Sequence, residues 1–267
     1  MAQMAATPPR LLLDQRGRSA EVVLTNQSAN ILEVSTELGY AVQFSDSLGN
    51  VGLHEPTDSV EAARRCDTWL RIFPSRFTIP PNTSQTVRVL LSPPADLPAG
   101  EYWARLRLTG TPTTFDFAVS SDTVTGIETR IRTSIELDLP VIFRTGEIST
   151  SVRFDVAAVH RSTKGGLDVV VETIRGGNAA YRGTMYGELV TKEGLTVAQT
   201  SAQFTTEFAL SRSLSFPAVR SGDYLLRLRA VTEKKGSAMD VVIPSATVEK
   251  SFGIRITDTA ASLLPSP

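Results

Sequence analysis

Ile127-Glu128-Thr129-Arg130-Ile131-Arg132-Thr133-Ser134-Ile135-Glu136-Leu137-Asp138-Leu139-Pro140-Val141-Ile142-Phe143-Arg144 alternates for eighteen residues. Ile127, Thr129, Ile131, Thr133, Ile135, Leu137, Leu139, Val141 and Phe143 fall on one face. Glu128, Arg130, Arg132, Ser134, Glu136, Asp138, Pro140, Ile142 and Arg144 fall on the other. Side chains of a strand change face at every residue, so the run predicts one half-buried β-strand over 127–144. Its length is unusual. Globular strands run about 5–6 residues, whereas this one would reach roughly 60 Å at ~3.3 Å per residue. A strand of that length at mid-chain either joins two domains or leaves part of its apolar face for a partner.

A repeat marks the same midpoint. Gly100-Glu101-Tyr102-Trp103-Ala104-Arg105-Leu106-Arg107-Leu108 is echoed 122 residues later by Gly222-Asp223-Tyr224-Leu225-Leu226-Arg227-Leu228-Arg229-Ala230. Each copy reads as a glycine turn entering a strand, with leucines and arginines alternating. A tyrosine at such a corner is a recurrent device of immunoglobulin-like sandwiches, where its hydroxyl bonds back to nearby backbone. The spacing fits one sandwich per copy. The expectation is an all-β chain of two tandem immunoglobulin-like domains, 1–146 and 147–258, with a loose tail over 259–267. A length of 267 residues and 41% apolar composition suit two cores.

Strand patterns fill both halves, from Val22-Val23-Leu24 and Ile31–Leu38 to Thr184–Val190 and Thr247–Ile256, with turns at Gly165-Gly166, Gly176-Gly177-Asn178 and Glu193-Gly194. Only Asp58–Arg65 reads as helical, with Asp58 as N-cap and Glu61 three residues on. It sits in a polar insertion, Ser45–Asp67, assigned to the first domain.

Charge and chemistry narrow the function. The formal net charge of −1 gives no global attraction to nucleic acid or an anionic membrane. The 22 arginines and 5 lysines are interleaved with acids, as on solvated strand faces. No apolar stretch approaches the ~20 residues of a membrane-spanning helix. The single cysteine, Cys66, excludes an intramolecular disulfide and reads as a small packed residue. Residues Met1–Pro9 lack the basic and apolar regions of a secretory signal. The two histidines, His54 and His160, fall in different domains, and the chain has no nucleophile elbow, P-loop, dinucleotide fingerprint or His-Glu-x-x-His. Asn26-Gln27-Ser28 and Asn82-Thr83-Ser84 match the glycosylation sequon but read as plain turns. The expectation is a non-enzymatic protein working without cofactor, ATP or metal.

Several segments stand out for their order and spacing: Arg10-Leu11-Leu12-Leu13-Asp14 with Asn26 sixteen residues on, and Arg76–Arg88 with its proline pair followed by Gln85-Thr86-Val87-Arg88. Gly100-Glu101-Tyr102, the long strand ending Pro140-Val141-Ile142-Phe143-Arg144, and Gly176-Gly177-Asn178-Ala179-Ala180-Tyr181 complete the set, over about residues 8–256. In order and spacing these segments resemble the PapD-like superfamily of periplasmic pilus-assembly chaperones. The resemblance implies two immunoglobulin-like domains in a boomerang, a periplasmic location, a pilin-like subunit as client and an outer-membrane usher as a further partner. It also implies a mechanism. The client is a sandwich lacking its last strand, and the chaperone lends its own long strand to that edge. Matched by position, Ile131, Thr133, Ile135 and Leu137 become the groove-filling residues, while Leu139, Val141 and Phe143 complete the chaperone's own core. Arg10 falls on the family's arginine that anchors the client's terminal carboxylate in the interdomain cleft, a role that suits a guanidinium fork. The partner lysine of the family falls on Pro140, a departure, and Arg144 is expected to make a structural interdomain contact. The alternative is a tandem immunoglobulin-like adhesion or structural module without a client.

Overall fold

The computed structural model describes residues 4–113, 133–162, 165–232 and 242–265. In chain order the strands are β1 (Met4–Thr7), β2 (Leu11–Asp14), β3 (Ser19–Asn26), β4 (Leu32–Gly39), β5 (Val42–Ser45), β6 (Val51–His54), β7 (Leu70–Phe73), β8 (Arg76–Ile79) and β9 (Ser84–Leu91). They continue as β10 (Gly100–Pro112), β11 (Ile135–Thr145), β12 (Thr150–Arg161), β13 (Leu167–Gly177), β14 (Tyr181–Val190) and β15 (Thr196–Thr206). The last are β16 (Ala209–Phe216), β17 (Gly222–Val231), β18 (Val248–Ile256) and β19 (Ala261–Leu263).

The fold is all-β, two tandem immunoglobulin-like sandwiches, as the repeat foretold. Contacts group the chain into one unit of Met1–Tyr40, Arg64–Leu97 and Tyr102–Thr145, and another of Ala41–Ala63, Pro98–Glu101 and Gly146–Pro267. In the first unit a sheet ordered β1-β3-β9-β7 faces one ordered β2-β11-β10-β4-β8. Val22, Leu24, Val87 and Val89 from the first sheet meet Leu106, Leu108, Val141 and Phe143 from the second in one core. In the second unit the sheets are β12-β13-β16 and β15-β14-β17-β18-β19. Their core joins Val169, Val171 and Leu214 to Leu189, Leu226, Leu228 and Ile254.

The repeated segment builds a strand of both cores. Leu106 and Leu108 of β10 are fully buried, as are Leu226 and Leu228 of β17, while Arg107, Arg227 and Arg229 face out. The tyrosines then diverge. Tyr224 makes the corner bond, its hydroxyl donating to the Arg220 carbonyl at 3.0 Å. Tyr102 instead buries its ring, 5.2 Å from Trp69 and 6.1 Å from Phe143.

Asn26 shows why a sequon can be pure structure. Its side chain is fully buried; Nδ2 donates to the carbonyls of Asn30 and Ile79 at 2.8 and 2.9 Å, and Oδ1 accepts from the Ser28 amide and hydroxyl. A buried amide so bonded is held, because leaving it unsatisfied would cost ~1–3 kcal/mol.

Within the insertion the helix is shorter than its sequence pattern, Ser59–Ala62, with Asp58 accepting from the amides of Val60 and Glu61. Glu61 reaches back one residue beyond the cap, to the Thr57 amide at 2.8 Å. β5 and β6 form a hairpin, and residues 41–63 group with the second unit, contrary to the assignment of this insertion to the first domain. The attachment is polar: Ser45 Oγ accepts from the Ser211 amide at 2.8 Å, and Gly49, at φ +80°, leaves no room for a Cβ beside the Ser213 nitrogen. Nothing in the hairpin's own sequence announces where it lands, since these are contacts with residues about 160 positions away. Cys66 is buried, and its thiol is pushed to a higher pKa, first by burial and then by the Asp67 charge.

Candidate client-binding strand

β11 is one strand with two environments. From Val141 to Arg144 it pairs parallel with β2, Val141 opposite Leu11 through Arg144 opposite Asp14. On its other side lies β10. Leu139, Val141 and Phe143 are buried in the first core, as the resemblance implied. Trp69, Tyr102 and Phe143 form an aromatic cluster there, with the Trp69 and Phe143 rings edge-on at 6.4 Å. Ile142, assigned by alternation to the polar face, is also buried, so both faces are covered at that level. The turn after β2 is fixed by Asp14, whose carboxylate accepts from the Gly17 and Arg16 amides, and those bonds hold its pKa below the usual carboxylate value. Gln15 completes the clamp, donating to Thr145 Oγ1 at 2.6 Å.

From Ile135 to Pro140 the arrangement changes. β2 is only four residues long, and its register ends at Val141. Among the described residues, Ile135–Pro140 therefore has no registered strand on the edge away from β10. Ile135 and Leu137 are partly buried and rest against the first core. Glu136, on the opposite face, meets Arg107 at 3.0 Å, and Arg107 approaches Glu37 at 3.8 Å. Asp138 Oδ1 is buried without a hydrogen-bond partner among the described residues.

The residues singled out in the sequence fare differently. Ile135 and Leu137 share one face of β11. Thr133 is exposed and lies before the strand begins; residues 127–132 of the expected strand lie outside the described residues, and over the rest its start is corrected from Thr133 to Ile135, the strand running Ile135–Thr145. Alternation marks which residues can line a face, but a ladder also needs a neighbour, and Thr133-Ser134 take no strand conformation here. Ile131 lies outside the described residues. Arg10 directly precedes β2, so the parallel register brings it to the level of Pro140; it is partly buried and already engaged within the protein. Arg144 is partly buried, opposite Asp14, and likewise engaged.

One pair escaped the sequence reading. Glu101, fully buried, and Arg182 form a bidentate ion pair at 2.7 and 3.0 Å within the second unit. Removing either side would strand a buried charge, at ~3–5 kcal/mol. Its signal in the sequence was slight: an acid inside the repeated strand entry and an arginine after the Ala-Ala-Tyr turn. Asn178 ties the same corner, donating to the Ala99 and Glu147 carbonyls at 3.1 and 3.0 Å. Among the described residues no group of three or more His, Cys, Asp or Glu could hold a metal ion, and no helix is long and apolar enough to cross a membrane.

No family model matches the chain, and no curated protein matches it. Solved structures do. The YadV chaperone aligns at 10% identity over 94% of this chain and 98% of its own, with a TM-score of 0.49. The CupB2 chaperone of Pseudomonas aeruginosa aligns at 12% over 92% and 98%, with a TM-score of 0.47. A chain of the Salmonella enterica SafA pilin–SafB chaperone complex aligns at 13% over 94% and 96%, with a TM-score of 0.47.

Proposed function

We propose that the protein is a periplasmic chaperone that caps an incomplete immunoglobulin-like pilus subunit by donor-strand complementation, with β11 as the lent strand. The observation that carries this is an edge that is half-covered among the described residues: Ile135–Pro140 is strand, its neighbour β2 stops at Val141, and the apolar pair Ile135 and Leu137 lies on that stretch. A strand with an open row of N–H and C=O groups is a template for another chain. Backbone bonds to the client would supply affinity, and alternate side chains entering its groove would supply specificity. Ile131, Thr133, Ile135 and Leu137 are the residues proposed for that groove. Compartment and client class come from the sequence resemblance, as does the usher that would receive the capped subunit.

Arg10 is proposed as the anchor for the client's terminal carboxylate. A guanidinium can take both carboxylate oxygens at once. With Pro140 at the position of the family's lysine, Arg10 is the matched cation, and it would exchange its present interaction for the client's.

The test is co-expression of the chain with a pilin-like subunit lacking its last strand. The subunit should remain soluble and co-purify with the wild-type chain, and should aggregate with an Ile135→Glu variant that is itself folded. A subunit equally insoluble with and without the chain removes the chaperone reading and leaves the tandem structural module.

A further inference from the structure

Sheet edges in this molecule are treated unequally, and one of them stands out. β1, β2, β7 and β8 at the first unit's edges are four residues each, and β19 is three. β12, though twelve residues long, carries Arg153, Asp155, His160 and Arg161 and a register shift between Val156 and Ala158. β16 is held by the β5–β6 hairpin through Ser45. Short length, charge, bulges and cover are the usual protections of an edge.

β15 has little of this. It is eleven residues long, Thr196-Val197-Ala198-Gln199-Thr200-Ser201-Ala202-Gln203-Phe204-Thr205-Thr206, with neither a charge nor a proline. It ends the five-stranded sheet of the second unit, paired with β14 on one side alone among the described residues. Its one irregularity is at the start, where Leu189 faces Ala198 and Val190 faces Thr196, leaving Val197 as the extra residue. From Ala198 onward the register is regular. Ala198, Phe204 and Thr206 point inward and are buried, while Gln199, Ser201 and Gln203 are exposed on the outer face.

We propose that β15 is a self-association edge that pairs antiparallel with β15 of a second copy of this chain, about a two-fold axis at Ser201. The occupant follows from the sequence of the edge. Around Ser201 the antiparallel register sets Ala198 against Phe204 on the core side, a small residue against a large one. On the outer face it sets Gln199 against Gln203, two amides able to bond to each other. No like charges meet anywhere along it, so an edge that would repel a charged copy of itself tolerates its own. The contact is a seven-residue strand pair, well short of a standard interface, so the dimer is weak and concentration-dependent. This inference stands apart from the chaperone reading, which concerns β11.

Sedimentation of the full chain over a range of concentrations, with directed cross-linking, tests it. Ser201 would face its own copy with Cα atoms about 4.5–5.5 Å apart, within the range a disulfide spans. Ser201→Cys should form a disulfide dimer at least tenfold faster than Gln203→Cys, whose counterpart cysteine would lie about 13 Å along the strand. Cys66 is buried and does not compete. Gln199→Lys/Gln203→Lys puts like charges opposite each other at exposed positions and should weaken the dimer several-fold while leaving the monomer folded. A constant monomer mass at all concentrations, or equal cross-linking from both cysteine positions, overturns the proposal.

Discussion

From Val141 to Arg144 β11 is flanked by β2 and β10, and Val141 and Phe143 have no exposed surface. From Ile135 to Pro140 the same strand has lost the β2 neighbour among the described residues, and Ile135 and Leu137 are only partly covered. One alternating pattern thus meets two environments, because burial is set by what lies across the face and not by the pattern. The later half is structural. The earlier half is where a partner strand would gain both a backbone ladder and an apolar face.

Substitutions can break or sharpen that contrast. Phe143→Ala should have the largest effect, lowering unfolding free energy by about 3–5 kcal/mol in denaturant titration, since it empties a filled core site. Client affinity per folded molecule should not change. Ile135→Glu should do the reverse. It should change stability by about 1 kcal/mol and weaken client binding by about 3 kcal/mol or more, because it carries a charge into an apolar groove. An Ile135→Glu chain unfolded by circular dichroism would place Ile135 with the core half of the strand. Arg10→Ala should weaken client binding by about 2–5 kcal/mol with little loss of stability. Equal affinity for free and amidated client C-termini would remove the anchor. Glu136→Gln is the smallest change. It loses an exposed pair with Arg107 worth roughly 0.2–1 kcal/mol, and client binding measured by titration calorimetry should be unaffected, because the polar face is not the face proposed for the groove.

Much of the fold could be read from the chain. The echo of Gly100–Leu108 in Gly222–Ala230 located the two cores, and the burial of Leu106, Leu108, Leu226 and Leu228 follows from it. Leu139, Val141 and Phe143, which the resemblance assigned to the chain's own core, are found there. What failed to show were contacts between residues distant in sequence. Period-two alternation placed Ile142 outside, yet it is buried. The length of β2, which decides where its pairing with β11 ends, depends on a strand 130 residues away. The landing of the β5–β6 hairpin on β16 and the Glu101–Arg182 pair are of the same kind. Local pattern gives each strand its face, and long-range pairing gives it its neighbours.

Amide hydrogen exchange of β11, with and without a pilin-like subunit lacking its last strand, tests the central claim most directly. Val141–Arg144 should be protected in the free chain and unchanged by the subunit. The amides of Ile135–Leu139 that face away from β10 should exchange quickly in the free chain and become protected when the subunit binds. If those amides exchange at the same rate in both states while the subunit is bound, β11 is not the lent strand.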